Sequence, residues 1–194
     1  MKIPLVGVLA LLAATPFAGA SIIGAEAADD GDGAVVCVAT WDGDTSTMNV
    51  DGVQNWWPGH VLGTVTTDTE LDPIMWVRNT ITNSADVLPL VWTDFHINLS
   101  MNKTYTFLAA TTLPSWTANY TQPTYDSGTG KWIGQVDYVM GSGGSSVNVG
   151  DDGQFDYRIS FLGSIAYCQE MIPTPEPGSL LLLSLGGLLI RRRQ

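Results

Sequence analysis

Apolar and polar residues alternate one by one along Val91-Trp92-Thr93-Asp94-Phe95-His96-Ile97-Asn98-Leu99. Val91, Thr93, Phe95, Ile97 and Leu99 fall on one face, and Trp92, Asp94, His96 and Asn98 on the other. A period of two sustained over this length predicts a strand with one buried face. The pattern returns over Gln154–Leu162, with Phe155, Tyr157, Ile159 and Phe161 inward and Asp156 and Arg158 outward. Shorter runs predict strands over Ala34–Thr40, Val61–Thr67, Ile74–Ile81, Lys103–Ala110, Lys131–Met140 and Ser164–Cys168. Turn formers such as Asp42-Gly43, Pro58-Gly59 and Asp126-Ser127-Gly128 punctuate them. Gly141–Gly153 reads as two turns around a short strand at Ser146–Val149. No helical stripe interrupts this series. The expectation is one all-β domain over residues 34–170, a single β-sandwich of immunoglobulin-like or jelly-roll type.

The two ends follow other patterns. Lys2 precedes the apolar run Ile3–Ala14, and Ala18-Gly19-Ala20 supplies small residues at a cleavage site. That layout predicts a secretory signal peptide over 1–20, cut after Ala20, with Ala25-Glu26-Ala27 as a second Ala-x-Ala. Residues 21–33, rich in Ala, Gly and Asp, read as a flexible spacer. Met171–Pro177 holds three prolines and reads as an extended stalk. After it come the apolar stretch Gly178–Ile190, expected to form a transmembrane helix, and then Arg191-Arg192-Arg193. The positive-inside rule puts those arginines on the cytoplasmic side and the stalk outside. Thirteen helical residues span about 20 Å, short of a hydrocarbon core of about 30 Å. A marginal span suits a tail that is recognised and removed better than the alternative, a permanent single-pass anchor.

Pro175-Glu176-Pro177, the apolar stretch and the three terminal arginines stand in that order at the C-terminus. This tail, residues 171–194, resembles the PEP-CTERM sorting signal of bacterial envelope proteins. The resemblance implies a membrane processing enzyme of the exosortase kind as partner and a transient stay in the inner membrane. It also implies a destination at the cell surface or in the extracellular matrix. The family's association with exopolysaccharide production raises, by this resemblance only, exopolysaccharide binding as an alternative for the body, whose activity it leaves open.

Charge narrows the body's partners. Eight Lys and Arg stand against nineteen Asp and Glu, a formal net charge of −11. Half of the basic residues lie in the two ends, leaving Arg78, Lys103, Lys131 and Arg158 between them. So acidic a surface repels phosphate backbones, which argues against nucleic-acid binding. The two cysteines, Cys37 and Cys168, lie near opposite ends of the body. In an exported chain they predict a disulfide, with a pair of buried free thiols as the alternative.

Seven tryptophans are many for this length. Trp56, Trp57 and Trp116 lie in loop-like surroundings from which indoles stack on sugar rings, although tryptophans in a sandwich usually fill its core. Asp94 and His96 share a strand face and are the one candidate acid–base pair, more often a solvated polar pair than a catalytic one. No nucleophile elbow, zinc-helix motif or phosphate loop appears, and the body is expected to be non-enzymatic. Nothing demands a cofactor or a metal. Calcium is the one candidate ion, because Asp42-Gly43-Asp44, Asp29-Asp30-Gly31-Asp32 and Asp151-Asp152 are incomplete oxygen-ligand loops whose carboxylates would have to converge in space. The expectation is a structural or adhesive sandwich, with exopolysaccharide binding as the alternative.

Overall fold

The computed structural model describes residues 20–84 and 91–175, and no helix is among them. Its strands are β1 Ile22–Asp29, β2 Val35–Asp42, β3 Thr47–Gln54, β4 Gly59–Thr67, β5 Ile74–Asn83 and β6 Val91–Met101, then β7 Tyr105–Thr112, β8 Trp116–Asp126, β9 Lys131–Met140, β10 Val147–Asn148, β11 Asp152–Phe161 and β12 Ile165–Pro175. They make two packed sheets, a β-sandwich. One sheet runs β1-β4-β12-β6-β9-β8 with β10 beside β6, and the other β2-β3-β5-β11-β7. All pairs are antiparallel except β3 with β5, where Thr47 stands opposite Trp76 and Gln54 opposite Asn83. Between those two strands the chain crosses to the other sheet to form β4, so β5 returns in the direction of β3.

Alternation builds the core from both inner faces. Phe155 of β11 stacks on Phe95 of β6 with centroids 3.8 Å apart. Trp92, Trp116 and Tyr138 close around the same ring. Phe155 thus ties together the two sheets. Beside it runs a fully buried polar relay. The Tyr157 hydroxyl donates to Gln169 Oε1 at 2.9 Å, Gln169 Nε2 donates to Asn79 Oδ1 at 2.9 Å, and Asn79 Nδ2 donates to the Phe155 carbonyl at 2.7 Å. Each buried amide has a partner, as the cost of an unpaired polar group requires. Tyr167 lies across Gly63, where any side chain would collide with its ring.

Several expectations change here. The segment expected as a spacer, 21–33, contains β1, paired with β4 from Ile22 opposite Thr67 to Asp29 opposite Val61. Ile22, Ala25 and Ala27 pack on the core, which orders the segment. The stalk expected from Met171 is instead the second half of β12. Met171 is fully buried, and Ile172, Pro173 and Thr174 stand opposite His96, Phe95 and Asp94 of β6. Trp92, placed outward by simple alternation, is 1% exposed. The register slips beside it, Asp94 facing Thr174 and Trp92 facing Pro175, so the parity of β6 reverses at that point.

The Cys37–Cys168 disulfide is not formed, and both thiols are free. Cys37 on β2 points to the core side with Val35 and Ala39. Cys168 on β12 points to the outer face of the opposite sheet with Ala166 and Glu170. Strand parity therefore separates the two sulfurs by a sheet. Burial pushes both thiols above the ordinary cysteine value.

Signal-peptide residue Ala18 and the tail residues Glu176, Pro177 and Arg191, Arg192 and Arg193 lie outside the described residues, as do the expected helix 178–190 and most of 1–20. Ala20 is the first described residue and Pro175 the last.

Candidate functional site

One end of the sandwich gathers the features that bear on function. The antiparallel register sets Met171 opposite Gly59, so β12 continues toward Pro175 past the start of β4, on the side where Trp56, Trp57 and Pro58 precede that strand. Gln54 fastens the two segments. Its Nε2 donates to the Met171 carbonyl at 3.0 Å and to the Trp56 carbonyl at 3.1 Å. The loop between β1 and β2 joins the same rim. Asn55 and Trp56 donate their backbone N–H groups to the Ala34 carbonyl, and Asn55 Nδ2 donates to the Gly33 carbonyl. Gly33, at φ 85°, is the left-handed position that brings this loop under Trp56, whose ring lies 3.1 Å from where a Cβ would stand.

Trp56 is 43% exposed and Trp57 51%. Beside them stand Asp30, Asp32 and His60, whose oxygen and nitrogen atoms all lie within 4.8 Å of one another. His60 Nδ1 is 3.2 Å from Asp30 Oδ2, and its Nε2 is 3.7 Å from Glu170 Oε1. Asn98 Nδ2 holds the other Glu170 oxygen at 2.7 Å. The Asp32 backbone N–H at Asp30 is the main cause that keeps this carboxyl below its ordinary value. Two carboxylates and an imidazole are a partial ligand set, where calcium takes about six to eight oxygens.

The other carboxylates expected to converge do not do so. Asp42 caps its own turn, accepting from Asp44 N, Thr45 N and the Thr45 hydroxyl, which lowers its pKa. Asp151 accepts from Asn148 and Asp152 from Thr82.

The Asp94–His96 pair is formed on the outer face of the larger sheet, with His96 Nε2 3.3 Å from Asp94 Oδ1. A third member, Asp137 of β9, stands opposite His96 and reaches its Nδ1 at 2.5 Å. Gln135 Nε2 donates to the same Asp137 oxygen. Burial, with help from the Asp137 charge and against the pull of His96, raises the Asp94 pKa. The sequence showed two of these residues on one strand. Asp137 and Gln135 come from a neighbouring strand whose register is set by tertiary pairing. A groove of about 480 Å³ on the same sheet is lined by residues such as Leu62, Thr64, Ala166 and Cys168, and its lining leaves His96 outside.

Trp116 leaves the set of exposed indoles. It is 7% exposed, its Nε1 donates to the Ser145 carbonyl at 2.8 Å, and its ring meets Phe155 edge-on. Of the three tryptophans expected to stack on sugars, the structure brings Trp56 and Trp57 together at one rim and buries the third.

No curated protein and no solved structure matches the chain. Residues 173–194 match the PEP-CTERM protein-sorting motif, and its first residues, Pro173 to Pro175, are the final residues of β12. The C-terminal tail of this chain is a PEP-CTERM sorting motif, joined without a spacer to an all-β sandwich.

Proposed function

We propose that this is an exported bacterial envelope protein, delivered through the inner membrane by a signal peptide and processed at its tail by an exosortase-like enzyme. The sandwich then serves at the cell surface or in the extracellular matrix as a non-enzymatic structural or adhesive body. The observation that carries this reading is the sorting motif at residues 173–194. The sandwich supports it from both sides. A cut after Ala20 leaves β1 whole, whereas a cut after Ala27 would sever it. The His96 cluster lies on an open sheet face outside the groove, which favours a structural role for that cluster.

Intact mass and fractionation in the native host test the reading. The expected species begins at Ser21, ends near residues 175–177 and is found in the medium or matrix. A full-length C-terminus retained in the inner membrane would sink it.

The rim favours a second reading, binding of exopolysaccharide. Trp56 and Trp57 are exposed beside Asp30, Asp32, His60 and Asn55, which offer stacking faces next to hydrogen-bonding groups. Retention on host exopolysaccharide should then fall sharply in Trp56→Ala and Trp57→Ala variants that keep the wild-type melting curve. Unchanged retention would leave the structural role alone.

A further inference from the structure

The distance between the folded body and the bilayer is set by very little chain. Only Glu176 and Pro177 separate the end of β12 from the apolar stretch that begins at Gly178. Three Cα steps reach at most about 11 Å, even fully extended. The apolar stretch is itself about 10 Å shorter than the hydrocarbon core, so crossing draws its flanks toward the membrane. A body tethered this closely cannot stand clear of the headgroup layer. The end of the sandwich from which β12 leaves must meet it.

Among the described residues, that end presents Trp56 and Trp57, with the exposed Val149 in a neighbouring loop. Indoles are the side chains that settle at the membrane–water interface, their ring in the apolar region and their N–H hydrated. Other tryptophans are placed differently. Trp92 and Trp116 are buried in the core. Trp41, Trp76 and Trp132 lie toward the opposite end, near Asp42, Ile74 and Lys131. At about 3.3 Å per residue, strands of this length hold them some 20–30 Å from the tail end.

We propose that the rim carrying Trp56 and Trp57 rests on the outer leaflet of the inner membrane while the tail is still attached, with both indoles in the headgroup layer. This rests on the reading that the tail enters the bilayer. The surface takes lipid as its partner and holds the Pro-Glu-Pro motif at headgroup depth. The contact depends on the tether. Asp30, Asp32 and Asp151 share the rim and are repelled by anionic headgroups, so removal of the tail frees the body.

Protein that begins at Ser21 and keeps its tail, in phosphatidylcholine vesicles with brominated acyl chains, tests this through tryptophan emission. The wild type should be retained after an alkaline wash and be quenched relative to unbrominated vesicles. A Trp56→Phe/Trp57→Phe variant should be retained equally and lose most of that quenching. Retention with equal quenching in both proteins, or with none, would overturn the membrane-facing rim and leave tail insertion standing. Loss of both proteins in the wash would overturn insertion and the rim together. Pure lipid suffices for the expected result, so a need for host membrane proteins would also refute it.

Discussion

Asp156 points away from the core on β11, yet it is only 3% exposed. Gln154 Nε2 donates to one of its oxygens at 2.8 Å, and the other has no partner among the described residues. Burial raises its pKa, and the Gln154 hydrogen bond and the Arg78 charge offset this only in part. The folded chain therefore holds this proton more tightly than the unfolded chain does. Stability from this group is greatest at low pH and declines as pH rises through the unfolded aspartate value of about 3.9 and on through the raised folded value. Asp156→Asn should remove that decline. Urea midpoints measured from pH 4 to 7 should shift progressively in favour of the variant, and a flat difference would show that Arg78 fully compensates. Alternation identified the side of β11 on which Asp156 lies. It carried no information about the neighbours that cover it, because Arg78 and Thr111 arrive from β5 and β7. Trp92 failed for a related reason: a register slip against β12 is a property of the pair of strands.

Strands with strong alternation were legible and the polar edges were not. β6, β9 and β11 fall close to their expected bounds. β1 is built of small residues, β3 is interrupted by Gly52, and β8 is largely polar and contains Pro123. β1 and β8 are edge strands, where one face or one hydrogen-bonding side meets solvent and hydrophobic patterning is weakest. The sandwich closes those edges with side chains. Gln122 of β8 accepts from the Phe107 N–H through Oε1 at 3.0 Å and donates to the Phe107 carbonyl through Nε2 at 2.9 Å. It acts as an extra peptide group joining β8 to β7. Across the other seam, Asp29 Oδ2 accepts from the Cys37 N–H at 3.1 Å. Gln122→Ala leaves both Phe107 backbone groups without these partners, and should cost about 1–3 kcal/mol in urea unfolding. Faster amide exchange confined to β7 and β8 would accompany it; a uniform change across the sandwich would argue against a local seam.

At the scale of the whole molecule, the address was readable because it is written in consecutive residues, Pro175 to Arg193. The rim was half readable. Trp56, Trp57 and His60 are close in sequence, but Asp30, Asp32 and Glu170 join them only through folding. The cysteine pairing failed because an even count says nothing of strand parity. Both thiols should be alkylated when the protein is unfolded without reductant, and reductant should leave the melting temperature unchanged. A bridged species in the mature protein would contradict the opposed faces of Cys37 and Cys168. The position of β12 has a consequence for synthesis. It lies between β4 and β6, joining the β1–β4 pair to the β6–β9–β8 group, and it follows every other described strand. The larger sheet therefore cannot assemble until nearly the whole chain has left the ribosome, and its long-range pairings are intrinsically slow to form. A nascent chain in that condition stays open enough to be threaded through a translocation channel. The strand that meets the sorting motif is thus also the one on which closure of the larger sheet waits.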